Sequence, residues 1–532
     1  MRRAFVAPRA LTCLAVAMLG MSSADARVAA DAPTSEARCA ALAGMSLPEG
    51  KVVAAGIPPA GATFDSGLPL FPGAARLPFP GPLCRVELSL SAGPDSSVRA
   101  ELWLPTEGRW NGKLVEAGNG GFGGSLADPM VTMRHAVLRG YAAAGNDMGH
   151  HAEDMGWFQR KEAVTDYAWR ADRLTSLATR RLVAAFYGES ARLHYFEGCS
   201  SGGRQALMAA TRFPGDYDGI VTGAPAASFA RKMAAGAWMQ KLLADPATRP
   251  TPADLKLVGD AALAQCDSAD GLSDGVIGDP RACRFDVSRL VCAPGQESAC
   301  LTPNKAAFFS AVYSGVRDAD GRTLVLPMPV GAEALPGGWH HWIAKPDARH
   351  ATLARGTIGA MMLKDPSWTP ARFDLVRDLP IVREWFADFD SDKSDLSAFR
   401  ARGGKMVAYH GWADAGINPH FTLDWYDRVE KTMGRAQTED TVALFMVPGL
   451  SHCAGGPGPD NFQMLGALDG WRDKGVVPES VLGEWHEGPP LAAMLDLPSG
   501  PRKAARPICR FPRQSRWDGV GDAARPESFS CR

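Results

Sequence analysis

Six residues near the middle of the chain have the types and spacing that favour nucleophilic chemistry by a serine. Gly198-Cys199-Ser200-Ser201-Gly202-Gly203 fits the pattern Gly-x-Ser-x-Gly, with a short apolar run at 194–197 before it and a helical run at 204–211 after it. A serine on a sharp turn between a strand and a helix projects its hydroxyl away from the sheet, and glycines beside it leave room for the turn. Ser200 is therefore the candidate nucleophile, and the chemistry it suggests is acyl transfer.

A serine hydroxyl needs a base, so the motif predicts an acid and a histidine downstream in the order Ser, Asp, His. Asp414 follows the apolar run 405–409, and His452 follows the run 443–447. Loops that leave the carboxyl ends of neighbouring strands converge at one edge of a sheet. We expect His452 to act as general base and Asp414 to orient its imidazole. Taken singly, Asp414 could cap a turn and His452 could lie in a surface loop, but their joint order and placement favour catalysis.

The elements that would position these residues are short apolar runs separated by helical stretches. The runs at 113–117, 141–145, 194–197, 219–222, 405–409 and 443–447 are typical of buried parallel strands, and 166–187 has helical spacing that ends before Gly188. This alternation predicts an α/β fold, and the serine turn makes it an α/β-hydrolase fold. Because the rhythm stops after Ala226 and resumes at Lys405, we predict a core made of 27–226 and 401–532, with 227–400 inserted as a lid domain.

The first 26 residues have the features of an export signal. Arg2, Arg3 and Arg9 precede the apolar run 10–21, and Ala24-Asp25-Ala26 has the small-x-small form of a cleavage site. An uncleaved anchor is the alternative, but the run is shorter than the roughly 20 residues that a span needs, and no later run is long enough for stable membrane insertion. The formal net charge of −1 gives no indication of a nucleic-acid partner. We therefore predict export, to the periplasm or beyond it.

Cysteine usage agrees with export. Of 11 cysteines, Cys13 lies in the signal, and the even number that remains predicts five disulfides in an oxidising compartment. Proximity and position favour the pairs Cys266–Cys283, Cys292–Cys300, Cys509–Cys531 and Cys39–Cys84. That leaves Cys199 with Cys453, a bridge between the residue before Ser200 and the residue after His452. Such a bridge either fixes the distance between the two catalytic loops or only stabilises the fold, and both readings stay open.

The motifs together resemble the tannase and feruloyl esterase family, which includes bacterial mono(2-hydroxyethyl) terephthalate hydrolases. The resemblance runs from about Cys39 to the carboxyl end and is carried by Gly198-Cys199-Ser200-Ser201-Gly202-Gly203-Arg204, Trp412-Ala413-Asp414, His452-Cys453, Trp110-Asn111-Gly112-Lys113, Gly118-Asn119-Gly120-Gly121 and the stretch 217–226. It implies a serine esterase acting on a small aromatic ester, of a gallate, ferulate or terephthalate monoester type, through an acyl-enzyme. It also implies an oxyanion hole formed by the backbone N–H of Ser201 and that of Gly120 or Gly121.

A second cluster, three aspartates within residues 267–276, suggests a cation. Carboxylates in so short a loop repel one another unless a hard cation neutralises them, although the spacing is not that of an EF-hand. The resemblance implies a structural calcium ion held by the side chains of Asp267, Asp270 and Asp274 and by the carbonyls of Leu272 and Val276. Two Asp-Gly turns without metal are the alternative. No redox or nucleotide cofactor is implied.

Substrate choice is left open by the sequence. Trp339, Trp342 and Trp368 in the predicted lid either line an aromatic pocket or pack the lid on the core. The same catalytic residues would serve an acetyl esterase, an amidase or an acyltransferase. A non-catalytic exported binding protein would not need Ser200, Asp414 and His452 together. The sequence does not determine the oligomeric state.

Overall fold

A mixed ten-stranded sheet organises the part of the chain that the computed structural model describes, which is residues 33–67, 76–154 and 156–532. In chain order its strands are β1 (Ser46–Leu47), β2 (Gly50–Gly56), β3 (Leu83–Leu90), β4 (Val98–Pro105), β5 (Lys113–Ala117), β6 (Ala142–Asn146), β7 (Leu193–Cys199), β8 (Gly219–Gly223), β9 (Lys405–Gly411) and β10 (Val442–Val447). Their spatial order is β1-β2-β3-β4-β6-β5-β7-β8-β9-β10. The neighbours from β1 through β4 to β6 pair antiparallel, and β6, β5 and β7 to β10 pair in parallel.

Helices cover both faces of the parallel part. The longer helices are α1 (Ala127–Leu138), α2 (Ala171–Tyr187), α3 (Ser201–Arg212), α4 (Phe229–Leu242), α5 (Pro252–Cys266), α6 (Pro303–Ser314), α7 (Leu375–Trp385), α8 (His420–Met433) and α9 (Met464–Lys474). On β5, Val115 belongs to the apolar cluster shared with α1 and α9, whereas its neighbour Leu114 belongs to the cluster shared with α2. Successive strand side chains point to opposite faces, so each buried strand needs two helical layers. The predicted α/β fold is confirmed.

The chain between β8 and β9, residues 224–404, is fully described and adds no strand to the main sheet. It contains α4 to α7, the shorter helices Arg349–Ala354 and Ser397–Ala401, and a hairpin of Val316–Arg317 with Thr323–Val325. The predicted lid, 227–400, falls within these limits. Residues Ser35–Arg532 form a single unit, and a separate lid domain stays a prediction.

The predicted strands of the parallel part are all present, with ends shifted by at most two residues. The predicted helix 166–187 is α2 preceded by a π-helical turn, Asp166–Arg170, and it ends at Gly188 with φ 79°. Sequence reasoning missed β1 to β4. The reason is visible in β3, whose buried and exposed residues alternate, so that it forms no continuous apolar run.

Small antiparallel elements complete the fold. Asn461–Phe462, Ser480–His486 and Arg502–Cys509 form a three-stranded sheet, and two hairpins pair Thr63–Asp65 with Arg76–Pro78 and Ser515–Trp517 with Phe529–Cys531. The remaining short helices include Ser35–Ala41, Lys161–Thr165 and Arg435–Thr441. All five predicted disulfide pairings are confirmed. In the described part of the chain, no helix has the length and apolarity of a membrane span. The predicted signal, 1–26, lies outside the described residues.

Candidate active site

Ser200 lies on a sharp turn between β7 and α3. Its backbone has φ 65° and ψ −118°, which residues other than glycine rarely adopt. The turn is fixed by neighbouring backbone: the Ser200 N–H donates to Gly223 O at 3.0 Å, and the Ser200 carbonyl accepts from the Ala226 N–H at 3.1 Å. A Cβ on Gly198 would lie 2.6 Å from the Gly202 backbone, so this position requires glycine. The hydroxyl is thus held above the carboxyl ends of the parallel strands.

Ser200, His452 and Asp414 form a continuous hydrogen-bonded relay. His452 Nε2 lies 2.9 Å from Ser200 Oγ, and His452 Nδ1 lies 2.8 Å from Asp414 Oδ2. Because the carboxylate is the acceptor, Nδ1 carries the proton, and the lone pair of Nε2 faces the serine hydroxyl. The structure therefore brings together the three residues that the sequence predicted for the site, in the geometry that proton transfer from Ser200 to His452 requires.

The Asp414 carboxylate is buried and accepts four hydrogen bonds. Oδ1 accepts from the N–H groups of Gly416 at 2.7 Å and Ile417 at 2.8 Å, and Oδ2 accepts from His452 and from His410 Nε2 at 3.2 Å. Burial opposes ionisation, but the charge of His452 and the hydrogen bonds from both histidines outweigh it and hold the pKa of Asp414 below its usual range. Asp414 is therefore ionised at neutral pH and can stabilise an imidazolium.

His410 is a supporting residue that sequence reasoning missed. It lies near the end of β9, fully buried, with Nδ1 2.7 Å from Thr422 Oγ1 and Nε2 2.9 Å from Ile417 O. Because Nε2 faces a carbonyl and the Asp414 carboxylate, it carries the proton, and Nδ1 accepts from the Thr422 hydroxyl. His410 thus orients the acid. Its position near the end of β9, four residues before Asp414, was the only signal in the sequence.

His350 supports the same loop from the inserted segment, and sequence reasoning missed it too. Its Nε2 lies 3.0 Å from Ala415 O, so the ring donates to the residue after Asp414. Burial lowers the pKa of His350 to about 3, and the nearby Lys232 charge acts in the same direction. The ring is therefore neutral at the pH where the relay works. No motif in the sequence connects His350 with Asp414.

The Cys199–Cys453 disulfide joins the turn of the nucleophile to the loop of the base. Its Cα atoms are 6.0 Å apart although 254 residues separate them in sequence. β7 to β10 pair in parallel one after another, so the carboxyl ends of β7 and β10, which carry these loops, lie at one edge of the sheet. The bridge adds a covalent link to that arrangement.

The two glycines predicted for the oxyanion hole, Gly120 and Gly121, differ in the hydrogen bonding of their N–H groups. The loop packs against the start of α3, where a Cβ on Gly118 would lie 2.6 Å from Gly202 Cα. The Gly120 N–H donates to the Asp128 carboxylate at 3.2 Å. Among the described residues the Gly121 N–H makes no hydrogen bond, and Ser201, as the first residue of α3, has no acceptor within its helix. The Ser201 and Gly121 N–H groups are therefore left without an acceptor among the described residues, whereas the Gly120 N–H is taken by Asp128.

Of the three tryptophans predicted for the pocket, Trp342 lies at the site. Its ring centroid is 5.0 Å from that of His452, with the planes at 74°. Trp339 is fully buried against Phe309, and Trp368 is buried in an apolar cluster with Ile358. The latter two pack the inserted segment against the core, in clusters with Ala413 and with Met148 respectively, which is the alternative that the sequence left open.

The aspartate loop holds its carboxylates mainly with its own backbone. Leu272 donates to Asp270 at 3.1 Å, and Gly275 and Val276 donate to Asp267 at 2.9 and 3.3 Å. Asp274 is paired with Arg506 at 2.5 Å.

In the structure these carboxylates are engaged by protein groups. Burial and the nearby charges of Asp274 and Asp267 raise the pKa of the Asp270 carboxyl. In residues 33–67, 76–154 and 156–532, no group of three or more His, Cys, Asp or Glu side chains is placed to hold a metal ion. Calcium stays a prediction, and binding it would require Asp267 and Asp274 to exchange their present partners for the ion.

Comparison with known proteins shows one family. The model described as tannase and feruloyl esterase matches residues 84–532, which include Ser200, Asp414 and His452. An uncharacterized esterase of Xanthomonas campestris pv. campestris is 31% identical, over 94% of this chain and 92% of that protein. A mono(2-hydroxyethyl) terephthalate hydrolase of Piscinibacter sakaiensis is 30% identical, over 82% of this chain and 81% of that protein. The crystal structure of feruloyl esterase B from Aspergillus oryzae has a TM-score of 0.81 at 26% identity, covering 94% of this chain and 100% of that one.

Proposed function

Because the chain belongs to the tannase and feruloyl esterase family, and is thereby a carboxylic ester hydrolase, we propose that it cleaves esters of aromatic acids with Ser200 as the nucleophile. The observation that carries this mechanism is the relay of 2.9 Å from Ser200 Oγ to His452 Nε2 and 2.8 Å from His452 Nδ1 to Asp414 Oδ2. A binding protein would have no use for a buried carboxylate, an oriented imidazole and a strained serine aligned in this way.

Acylation begins when Ser200 Oγ attacks the ester carbonyl carbon and His452 Nε2 takes its proton. The imidazolium is stabilised by Asp414, which is ionised because His452 and His410 lower the pKa of its carboxyl. The Ser201 and Gly121 N–H groups donate hydrogen bonds to the oxyanion, and losing one such donor raises the barrier by about 3 kcal/mol. His452 then protonates the leaving alcohol, and the acyl group stays on Ser200.

Deacylation uses the same groups, with water as the nucleophile and Ser200 as the leaving group. Water attacks the acyl carbon while His452 Nε2 takes a proton from it, and the same two N–H groups stabilise the second oxyanion. Collapse of this intermediate returns the proton to Ser200 and releases the free acid. No step needs a cofactor from outside these residues.

An aromatic acyl group is supported by two observations. The related proteins include a terephthalate monoester hydrolase and a feruloyl esterase. In this chain the Trp342 ring stands beside the His452 imidazole, where an aromatic acid can pack edge to face against it. An acetyl esterase or an acyltransferase using the same three residues is the competing activity.

Export is part of the proposal. Five disulfides are present in the described residues, and disulfides persist in oxidising compartments such as the periplasm and the medium. The predicted signal at 1–26 would take the chain there.

The test is a panel of methyl gallate, methyl ferulate, a terephthalate monoester and p-nitrophenyl acetate, hydrolysed by the purified mature protein. Ser200→Ala should lose turnover by about 10⁴-fold or more, since no other group can form the acyl-enzyme. Ser201→Ala removes the neighbouring hydroxyl but keeps the backbone N–H, and it should remain active. Turnover of acetate alone would contradict the aromatic specificity, and turnover that survives in Ser200→Ala would contradict the serine mechanism.

A further inference from the structure

We infer that Gln205 and Tyr167 are positioning residues that hold the oxyanion loop, residues 119–121, in register with Ser200 from its two ends. This role rests on the proposed function, because the loop affects the reaction only if Gly121 donates to the oxyanion. Neither residue touches the reacting atoms.

Gln205 fixes the start of the loop. It lies on α3, 1% exposed, and its Oε1 accepts the Asn119 N–H at 2.9 Å. Its Nε2 donates to Asp172 Oδ1 at 2.6 Å, and the same oxygen accepts from Asn146 Nδ2 at 3.1 Å. Because the amide nitrogen is bound to Asp172, the amide oxygen is turned toward Asn119. Asp172 therefore fixes the orientation of the Gln205 side chain.

Tyr167 fixes the end of the loop. It is 1% exposed, and its hydroxyl donates to the Gly121 carbonyl at 3.3 Å. The backbone carbonyl of Tyr167 accepts from Arg204 Nη2 at 3.0 Å, and the guanidinium lies 5.1 Å from the centroid of its ring. Arg204 precedes Gln205 on α3. Both supports of the loop are thus anchored to one helix.

That helix also carries the other half of the oxyanion hole. Ser200 is its N-cap and Ser201 is its first residue. Two donors stabilise one oxyanion only if their relative placement is held within about 0.5 Å. Gly120 and Gly121 have no side chains with which to lock themselves, so neighbouring side chains must do it. Gln205 and Tyr167 are the buried groups that tie this loop to α3.

Asp172 is a charged acceptor for the Asn146 and Gln205 amides at neutral pH. Burial raises the pKa of its carboxyl to about 6, although hydrogen bonds from Asn146 and Gln205 and the Arg204 charge oppose the rise. Above that pH the carboxylate accepts from both amides, and a charged acceptor strengthens each bond.

The variants that test this role each remove one contact. Gln205→Met keeps the length of the side chain without its hydrogen bonds, and Tyr167→Phe removes the hydroxyl and keeps the ring against Arg204. Thr211→Val, at the far end of α3, is the matched control, because the Thr211 hydroxyl donates only within the helix, to Leu207 O at 2.9 Å and Met208 O at 3.5 Å. Melting temperatures from circular dichroism compare the stability of all variants.

Two rates are measured. One is turnover of the best ester, resolved into kcat and KM. The other is labelling of Ser200 by a p-nitrophenyl phosphonate, followed by intact mass. In that reaction the Oγ–P bond forms, the bond from phosphorus to nitrophenolate breaks, and the serine proton goes to His452. The phosphoryl oxygen occupies the oxyanion hole, so this rate reports on the donors whatever acid the enzyme prefers.

Gln205→Met should lower kcat and the labelling rate by 10- to 100-fold with KM within about threefold of wild type, and Tyr167→Phe should show a smaller loss of the same kind. The double variant should lose less than the product of the single losses, because both side chains hold one loop.

A rise in KM with unchanged kcat, a loss no greater than that of Thr211→Val, or a wild-type labelling rate would overturn the role of Gln205. If Gln205→Met does not fold, Tyr167→Phe decides by the same criteria. If the wild-type protein hydrolyses esters but Ser200 is not labelled, the serine mechanism fails, and this inference fails with it.

Discussion

Removing the Cys199–Cys453 disulfide separates its contribution to stability from its contribution to positioning. Opening a loop of 254 residues lowers the free energy of unfolding by about 5.5 kcal/mol in the chain-entropy model. Opening the 45-residue loop closed by Cys39–Cys84 lowers it by about 4 kcal/mol in the same model. The two losses are similar, but only the first bridge joins the loops of Ser200 and His452. The double variant Cys39→Ser with Cys84→Ser is therefore a matched control for Cys199→Ser with Cys453→Ser.

The assay is kcat on the best ester at a temperature where circular dichroism shows both double variants to be folded. Opening the bridge is expected to disturb the 2.9 Å contact between His452 Nε2 and Ser200 Oγ. A displacement of about 1 Å can lower the rate by about 100-fold, so we expect the Cys199/Cys453 variant to lose 10- to 100-fold in kcat. The Cys39/Cys84 variant should keep the kcat of the wild-type protein, because its bridge joins the helix Ser35–Ala41 to β3, and neither element carries Ser200 or His452.

Equal kcat values for the wild-type protein and the folded Cys199/Cys453 variant would refute the positioning argument. The bridge would then act only on stability, and the backbone contacts of the Ser200 turn would suffice to hold the nucleophile. An equal loss of kcat in both double variants would also refute it, because the loss would then follow from destabilisation alone.

Three further outcomes follow from the site. Asp414→Asn should lower kcat by about 10⁴-fold with little change in circular dichroism, because the amide no longer fixes the His452 tautomer. Because burial lowers the pKa of His350 to about 3, the folded state binds fewer protons than the unfolded state, and the free energy of unfolding falls as the pH falls from about 6.5 to 3, by up to about 1.4 kcal/mol per unit. His350→Gln, whose amide can still donate to Ala415, should remove this part of the slope in denaturant titrations; an unchanged slope would contradict it. Metal analysis should find one calcium ion per chain, absent in Asp267→Asn, and a purified protein that retains none would contradict the predicted site.

The sequence predicts best those elements whose burial is continuous. β5 and β7 to β10 are buried on both faces and read as apolar runs, so their limits are found to within two residues. β3 alternates buried and exposed residues and was missed for that reason, whereas β4 is buried almost continuously but is interrupted in sequence by Arg99 and Glu101. The disulfide pairings were found because close spacing fixed most of them and left one pair over.

At the site, the sequence predicts the three catalytic residues and their order along the chain, but not the residues that hold them in place. Ser200, Asp414 and His452 follow from a motif and a known order along the chain. His350 reaches Ala415 across 65 residues, and nothing local marks either residue as a partner of the other. The choice between Gly120 and Gly121 depended on the Asp128 carboxylate, which binds one of the two N–H groups. Contacts of this kind are set by packing between elements.

The inserted segment, residues 224–404, contacts the residues around Asp414 and His452 at two points. His350 donates to Ala415 beside the acid, and Trp342 lies against the imidazole of the base. A Cβ on Gly416, two residues after Asp414, would lie 2.8 Å from the Trp342 ring, so this tryptophan packs against the loop of the acid as well as against His452. The side chain best placed to meet an aromatic acid therefore also borders the general base, and a substitution that reshapes the pocket there must change the rate together with the specificity.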